Sequence, residues 1–334
     1  MTKVAVFGAG SWGTAFAIVL AQAGNQVSLW GRRESLCDAI NSRHENSDYL
    51  PGLRLPDAIT ATHDPAAAAE GSEAIVLAVP SQSLRANLKD WADVLPSAVP
   101  IVSLMKGVEV GTTKRMSEVI AELTGAGPER IAVVSGPNLA REIAEGQPAA
   151  SVVACADEGT AARLQKLCHS PTFRPYTNTD VIGCELGGAT KNVIALAVGM
   201  AVGLGFGDNA RASVITRGLV ETARLGNALG ADEHTFSGLA GLGDLVATCS
   251  SPLSRNRTFG EKLGQGMTVA EIAGATRQVA EGVKSCSSIS ELAHHHDVEM
   301  PIAEHVTKVV AGEMTPKDML FSLVSRSAKS ERWG

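Results

Sequence analysis

The 334-residue chain has no pair of cysteines spaced C-x-x-C. Its six cysteines, Cys37, Cys155, Cys168, Cys184, Cys249 and Cys286, fall at irregular intervals. That spacing gives no ribbon-type zinc site and no redox dithiol; it reads as reduced thiols of a cytoplasmic protein. A strand is expected from residue 3, and no targeting segment is expected before it. The longest apolar run, Val193 to Phe206, is glycine-rich and shorter than the ~20 residues a membrane span needs, so a buried core helix is expected. An excess of positive charge is also missing. The net charge is −6 with both signs interspersed, which argues against a general nucleic-acid binder and leaves room for a local basic pocket. The internal triplet His294-His295-His296 makes a poor chelate, because adjacent helical side chains diverge, and no metal is expected. No internal repeat appears, and Ala66 to Ala69 is simply helix-forming.

What the chain does have is concentrated at its start. Lys3 to Phe7 is a short apolar strand, followed at once by Gly8-Ala9-Gly10-Ser11-Trp12-Gly13 and an apolar helix, Thr14 to Ala23, closed by Gly24. Gln26 to Trp30 is a second strand. A strand, a G-x-G-x-x-G turn and a helix are the dinucleotide-binding fingerprint in its required setting. Gly8 permits the tight turn, Gly10 lets a pyrophosphate approach the backbone, and Gly13 lets the helix pack close. The amides at the helix start then face the phosphates. An NAD site usually has Asp or Glu after the second strand. This chain has Gly31-Arg32-Arg33. A carboxylate would repel a 2′-phosphate, whereas a guanidinium grips it, so NADP(H) is expected over NAD(H), with NAD(H) still possible. A solvated basic turn is the competing reading.

The length suits two domains. The first half carries apolar runs at Ala74 to Pro80, Ile101 to Leu104 and Ile131 to Val134, and a further strand is expected at Ser151 to Cys155. Runs without polar alternation predict a mostly parallel sheet covered on both faces. Turns follow these runs at Pro80-Ser81-Gln82-Ser83, Met105-Lys106-Gly107 and Ser135-Gly136-Pro137-Asn138, the sheet edge where ligands gather. From about residue 185 the pattern is helical. Gly187 to Leu204 reads as a small-residue helix, and Asp208-Asn209 can cap the next one. Thr268-Val269-Ala270-Glu271 and Thr315-Pro316-Lys317-Asp318 read as further helix starts. The expected organisation is therefore a Rossmann-like α/β dinucleotide-binding domain over 1–180 and an all-α substrate-binding and catalytic domain over 181–334.

A nicotinamide enzyme oxidising an alcohol needs a group to accept the hydroxyl proton. Lys191 places an ammonium in a segment of small and apolar residues, Leu186 to Ala195. Buried there, it needs a carboxylate or substrate partner, or a lowered pKa; a lysine snorkelling from a half-exposed helix is the alternative. Lys106 follows a strand, either as a site contact or as an ordinary turn lysine. Asp244, in Gly241-Leu242-Gly243-Asp244-Leu245, is the natural partner for Lys191, or else a helix cap. Ser254-Arg255-Asn256-Arg257 is dense in phosphate-binding donors, or is a solvated loop.

In this order, these pieces resemble the bacterial-type NAD(P)-dependent glycerol-3-phosphate dehydrogenases. The resemblance runs from Gly8 to Gly282 and also rests on Glu185 through Asn192 and Val279-Ala280-Glu281-Gly282. It implies interconversion of sn-glycerol 3-phosphate and dihydroxyacetone phosphate by hydride transfer, serving phospholipid synthesis. It implies Lys191 as proton acceptor, and substrate contacts from Lys106, Gly136, Asn138, Lys191, Asp244, Ser254, Arg255 and Asn256. Dinucleotide contacts are implied for Ser11, Trp12, Arg32, Arg33, Lys106, Ala140, Arg255, Val279 and Glu281, beside the glycines Gly8, Gly10 and Gly13. Asn138 stands where the family usually has a hydroxyl. The rival readings are a two-domain hydroxy-acid dehydrogenase and a non-catalytic NADP(H) sensor. The apolar helical half suits a homodimer.

Overall fold

The computed structural model describes residues 1–275, 280–325 and 327. The N-terminal half is one eight-stranded sheet. Its strands are β1 (Lys3–Phe7), β2 (Gln26–Trp30), β3 (Ile59–Thr62), β4 (Ala74–Leu77), β5 (Ile101–Ser103), β6 (Ile131–Ser135), β7 (Ala149–Cys155) and β8 (Phe173–Asn178). They lie in the order β3-β2-β1-β4-β5-β6-β7-β8. Every neighbouring pair is parallel except β6 and β7. The chain order reverses between β1 and β4, which makes their carboxyl ends the crevice where an open α/β sheet binds its ligand. Residues Val4 to Phe7 and Ala74 to Leu77 are fully buried, as unbroken apolar strands under helices on both faces should be.

Two strands escape a reading by apolar runs. β3 is Ile-Thr-Ala-Thr, four residues at the sheet edge. β8 closes the opposite edge and contains Pro175, a residue that edge strands tolerate because its missing N–H costs no internal ladder bond.

After Asn178, every regular element among the described residues is a helix. The axis of this half is the helix Val181–Gly203, buried along nearly its whole length. It starts six residues before Gly187, because the Asp180 side chain accepts the Gly183 amide at 2.8 Å. Length and composition alone would let this helix cross a membrane, yet 89% of its apolar window is buried inside the protein. The helix Arg255–Gly264 packs against it backbone to backbone: a Cβ on Gly260 would strike the Leu196 carbonyl. The next helix, Asp208–Ala228, is preceded by Gly207 without a side-chain cap, so Asp208 is its first residue and not its cap. Thr268 and Thr315 do cap theirs, the first in a reciprocal capping box with Glu271. All six cysteines are free and buried.

Candidate active site

The glycine turn is built for a phosphate. Gly8 has φ +131°, and a side chain there would strike the Ala78 carbonyl, where β1 and β4 diverge. A Cβ on Gly13 would collide with the Gly8 carbonyl oxygen, so the helix Ser11–Gln22 can sit this close only with glycine. The space beside Gly10 is open. That helix has no side-chain cap and no acid in its first turn. Its leading amides are therefore available to an anion, as pyrophosphate binding requires. Asn46, fully buried, pins the turn by donating to the Ala9 carbonyl (3.0 Å) and to Thr14 Oγ1 (2.9 Å). Ser11 donates to the Tyr49 carbonyl at 3.2 Å, and the buried indole N–H of Trp12 has no partner. Ala140 opens the short helix Ala140–Ala144.

Arg32 and Arg33 follow β2 and are exposed. They are not equivalent. Arg33 is ion-paired with Asp48, which raises its pKa through the hydrogen bond. A 2′-phosphate would have to share Arg33 with that carboxylate.

Across the sheet mouth, one carboxylate holds two ammoniums. Asp244 begins the helix Asp244–Ser250 and is 1% exposed. Its Oδ1 accepts from Lys191 Nζ, and its Oδ2 accepts from Lys106 Nζ at 2.6 Å. Lys106 also donates to the Gly136 carbonyl at 3.1 Å, and Lys191 to Thr248 Oγ1 at 2.9 Å. Asp244 is thus an ion-pair partner and not a helix cap. Lys191 is 7% exposed, in the middle of the central helix, so it does not snorkel. Burial pushes its pKa down to about 7, with Lys106 acting in the same direction and Asp244 opposing both.

Of the remaining predicted contacts, Gly136 touches this trio directly and Asn256 is linked to it through Asn192. Gly136 has φ +147°, with its Cα face against Ser151. Asn138 Nδ2 donates to Ser151 Oγ at 3.1 Å, while the buried Asn138 Oδ1 has no partner. Ser254 is used as the cap of the helix Arg255–Gly264, accepting the Arg257 amide. Asn256 is committed inside the protein: it donates to Asn192 Oδ1 (2.8 Å) and accepts the Gly282 amide (2.9 Å). Arg255, the first residue of that helix, is exposed as a whole residue. The dense surroundings lower its pKa, against the pull of Glu281. Glu281 accepts from Ser81 Oγ at 2.7 Å, a bond from the β4 turn to the helical half. Val279 lies outside the described residues.

This arrangement has known relatives. Residues 3–161 match the model of the NAD-dependent glycerol-3-phosphate dehydrogenase N-terminus, and residues 180–321 match that of its C-terminus. The chain belongs to the NAD-dependent glycerol-3-phosphate dehydrogenase family. It is 66% identical to a glycerol-3-phosphate dehydrogenase [NAD(P)+] of Thermobifida fusca, over the full length of both chains. A crystal structure of glycerol-3-phosphate dehydrogenase from Coxiella burnetii superposes with a TM-score of 0.93 at 38% identity, covering 97% of this chain and 99% of that one. A D-mandelate dehydrogenase superposes at 0.62 with 13% identity, a likeness of fold alone.

Within this dehydrogenase family frame, the chain shows residues that the reading of its sequence did not single out. Thr248 is one helical turn after Asp244 and shares Lys191 with it. Asn192, next to Lys191, links the Lys106 carbonyl (3.4 Å) to Asn256. The i, i+4 spacing of Asp244 and Thr248 was a usable signal; nothing local marks Asn192 or Ser151.

Proposed function

We propose that this chain interconverts sn-glycerol 3-phosphate and dihydroxyacetone phosphate by NAD(P)-dependent hydride transfer, supplying glycerol 3-phosphate for phospholipid synthesis. The observation that carries the reading is the Lys106–Asp244–Lys191 trio at the sheet mouth. Gly8, Gly10, Gly13, Ser11, Trp12 and Ala140 would hold the dinucleotide. The collision-limited turn and the uncapped helix amides fit its pyrophosphate. Arg32 and Arg33 favour NADP(H), with Arg32 the freer of the two. The bound nicotinamide supplies or takes the hydride at the substrate's C2 carbon.

The protein's own part is proton and charge management. With a pKa of about 7, Lys191 populates both protonation states near neutrality. It takes the C2 hydroxyl proton in oxidation and returns one to the ketone oxygen in reduction. Its charge stabilises the alkoxide as it develops. Asp244 and Thr248 fix the direction of the Nζ. Two ammoniums against one carboxylate leave the trio with surplus positive charge when Lys191 is protonated, which suits an anionic substrate. Arg255, with Lys106, would grip the phosphate. Residues 1–180 would then bind cofactor and 181–334 bind substrate.

The reading extends to setting. Six free thiols suit the cytoplasm. Exposed apolar side chains on the helical half, among them Leu242, Val246 and Phe321, offer a second copy a surface for a homodimer. The test is oxidation of NADPH and of NADH followed at 340 nm (about 10² μM substrate, near common Michaelis constants), with dihydroxyacetone phosphate and 2-keto acids in parallel. Turnover of dihydroxyacetone phosphate is expected. Turnover of a 2-keto acid alone would replace this reading with the hydroxy-acid one, and tight NADPH binding with neither activity would favour a sensor.

A further inference from the structure

Two separate ties join the same two pieces of backbone. One piece is the arm Lys106 to Arg115, which leaves β5 and folds back so that Val108 and Arg115 pair as an antiparallel bridge. The other is the helix Val181–Gly203. Near one end of the arm, Lys106 meets Lys191 of the helix through Asp244. At the other end, Arg115 Nη1 donates to Glu185 Oε2 at 2.6 Å. Glu185 also accepts the Ser117 amide at 2.8 Å and the Ser117 hydroxyl at 2.6 Å. Between the ties, Val108 is buried in the core of the helical half, and its carbonyl accepts from Gln82 Nε2 (2.8 Å) and Ser288 Oγ (2.9 Å).

Glu185 is 5% exposed and touches none of the residues given a chemical role above. Burying a carboxylate and a guanidinium is a poor way to gain stability, because desolvation consumes most of the attraction. What such a pair supplies well is register: the Arg115 guanidinium forks between Glu185 (Nη1) and Glu118 (Nη2, 3.1 Å), and with the two directed donors of Ser117 on the Glu185 carboxylate this narrows the geometry sharply. Glu185 and Lys191 are six residues apart on one rigid helix, a rise of about 9 Å. A fixed distance along the helix therefore separates the pair from the reacting ammonium.

We propose that the Arg115–Glu185 pair is a positioning device: it sets the arm against the central helix and thereby fixes how closely Lys106 approaches Lys191 across Asp244. Both residues act through others and neither touches substrate. The proposal rests on the reading of Lys106 and Lys191 as site residues. The charged groups that face Lys191 are Asp244 from the helix Asp244–Ser250 and Lys106 from the arm, beside the neutral Thr248 and the buried thiol of Cys249 on that same Asp244–Ser250 helix. Loosening the arm lets Lys106 retreat, and one of the influences that depress the Lys191 ammonium weakens.

The experiment uses the full chain with Glu185→Gln, which keeps the side-chain volume and an acceptor for Ser117 but removes the charge. Expected are a fall in kcat of about 10²-fold, the usual consequence of a misplacement near 1 Å, and a Michaelis constant for NADPH within about twofold of the unmodified protein. The titration midpoint of Lys191, followed by its 15Nζ resonance in lysine-labelled protein and assigned by its loss in Lys191→Met, should rise by about half a unit or more. Arg115→Lys keeps the charge and loses the fork, so it should shift both readouts by less; it carries the test alone if Glu185→Gln does not fold. A lowered melting temperature with kcat and the Lys191 midpoint unchanged would make the pair merely structural and overturn the proposal. The resonance needs no substrate. A shifted midpoint in a protein inert toward dihydroxyacetone phosphate would therefore sink the activity reading and leave the positioning role standing.

Discussion

Replacing Lys191 with methionine should separate catalysis from stability. Burial brings the lysine pKa from 10.5 to about 7. Each unit is worth about 1.36 kcal/mol, so the folded protein disfavours the ammonium by on the order of 5 kcal/mol. That figure is already net of the attraction to Asp244; what the substitution gives up besides is the packing and the hydrogen bonds the neutral amine keeps, such as that to Thr248, at about 1 kcal/mol each. Methionine fills similar space with no charge, and Asp244 keeps Lys106 as its partner. The variant should gain on the order of 2 kcal/mol at neutral pH and lose turnover by about 10²–10⁴ or more.

The effect depends on pH. The folded pKa of this lysine lies below the unfolded one, so between about pH 7 and 10.5 the unfolded chain binds the extra proton. Lys191 therefore makes the unmodified protein more stable as pH rises through that window, and Lys191→Met lacks that slope. The advantage of the variant should be greatest at pH 6 to 7 and shrink toward pH 10. Thermal melts at pH 6, 7.5 and 9, beside the NADPH oxidation assay, test both halves. Turnover within tenfold of normal would remove Lys191 from the chemistry. A variant less stable by the same margin at every pH would refute the burial reasoning.

Other residues give independent tests. Arg32→Ala should raise the Michaelis constant for NADPH by about tenfold or more, the worth of one charged hydrogen-bond partner, and leave that for NADH nearly unchanged; equal effects on both would exclude a 2′-phosphate contact. Arg255→Ala should raise the Michaelis constant for dihydroxyacetone phosphate by about 10²-fold, and an unchanged value would place the phosphate elsewhere. Glu221 accepts the amides of Ile302 and Ala303 at the start of the helix Pro301–Ala311, and burial raises its pKa to about 7. Its folded pKa exceeds the unfolded 4.5, so the stability it contributes is full below pH 4.5 and lost as pH rises to 7. Glu221→Gln should flatten that decline in melts between pH 4.5 and 8, and an unaltered slope would assign the pH dependence to other groups.

The parts of this molecule that announce themselves in sequence are those whose cause is local. The glycine turn is legible because its glycines sit at fixed spacing between a strand and a helix, with Gly8 at positive φ and Gly13 against the Gly8 carbonyl, and Thr268 and Thr315 because a cap and its helix are adjacent. Central strands are legible because burial on both faces removes every polar residue from Ala74 to Leu77. Edge strands lack that signature, and β3 and β8 pass unnoticed. The early start at Val181 depends on a single Asp180 cap, outweighed in the pattern by the small-residue run from Gly187.

The site divides the same way. A lone lysine in an apolar helix implies a carboxylate, and a lone aspartate among glycines implies a cation, so the Lys191–Asp244 pair follows from desolvation cost alone. Desolvation cost asks for nothing more once each charge has one partner. It cannot reveal that Lys106, 138 residues away along the chain, takes the second oxygen of the same carboxylate. Yet this third member bears on the chemistry. With Asp244 shared, neither ammonium is fully neutralised, and Lys106 joins burial in pulling Lys191 toward neutrality. The feature that tunes the proton acceptor is therefore a property of the tertiary fold, set by how the β5 arm meets the central helix.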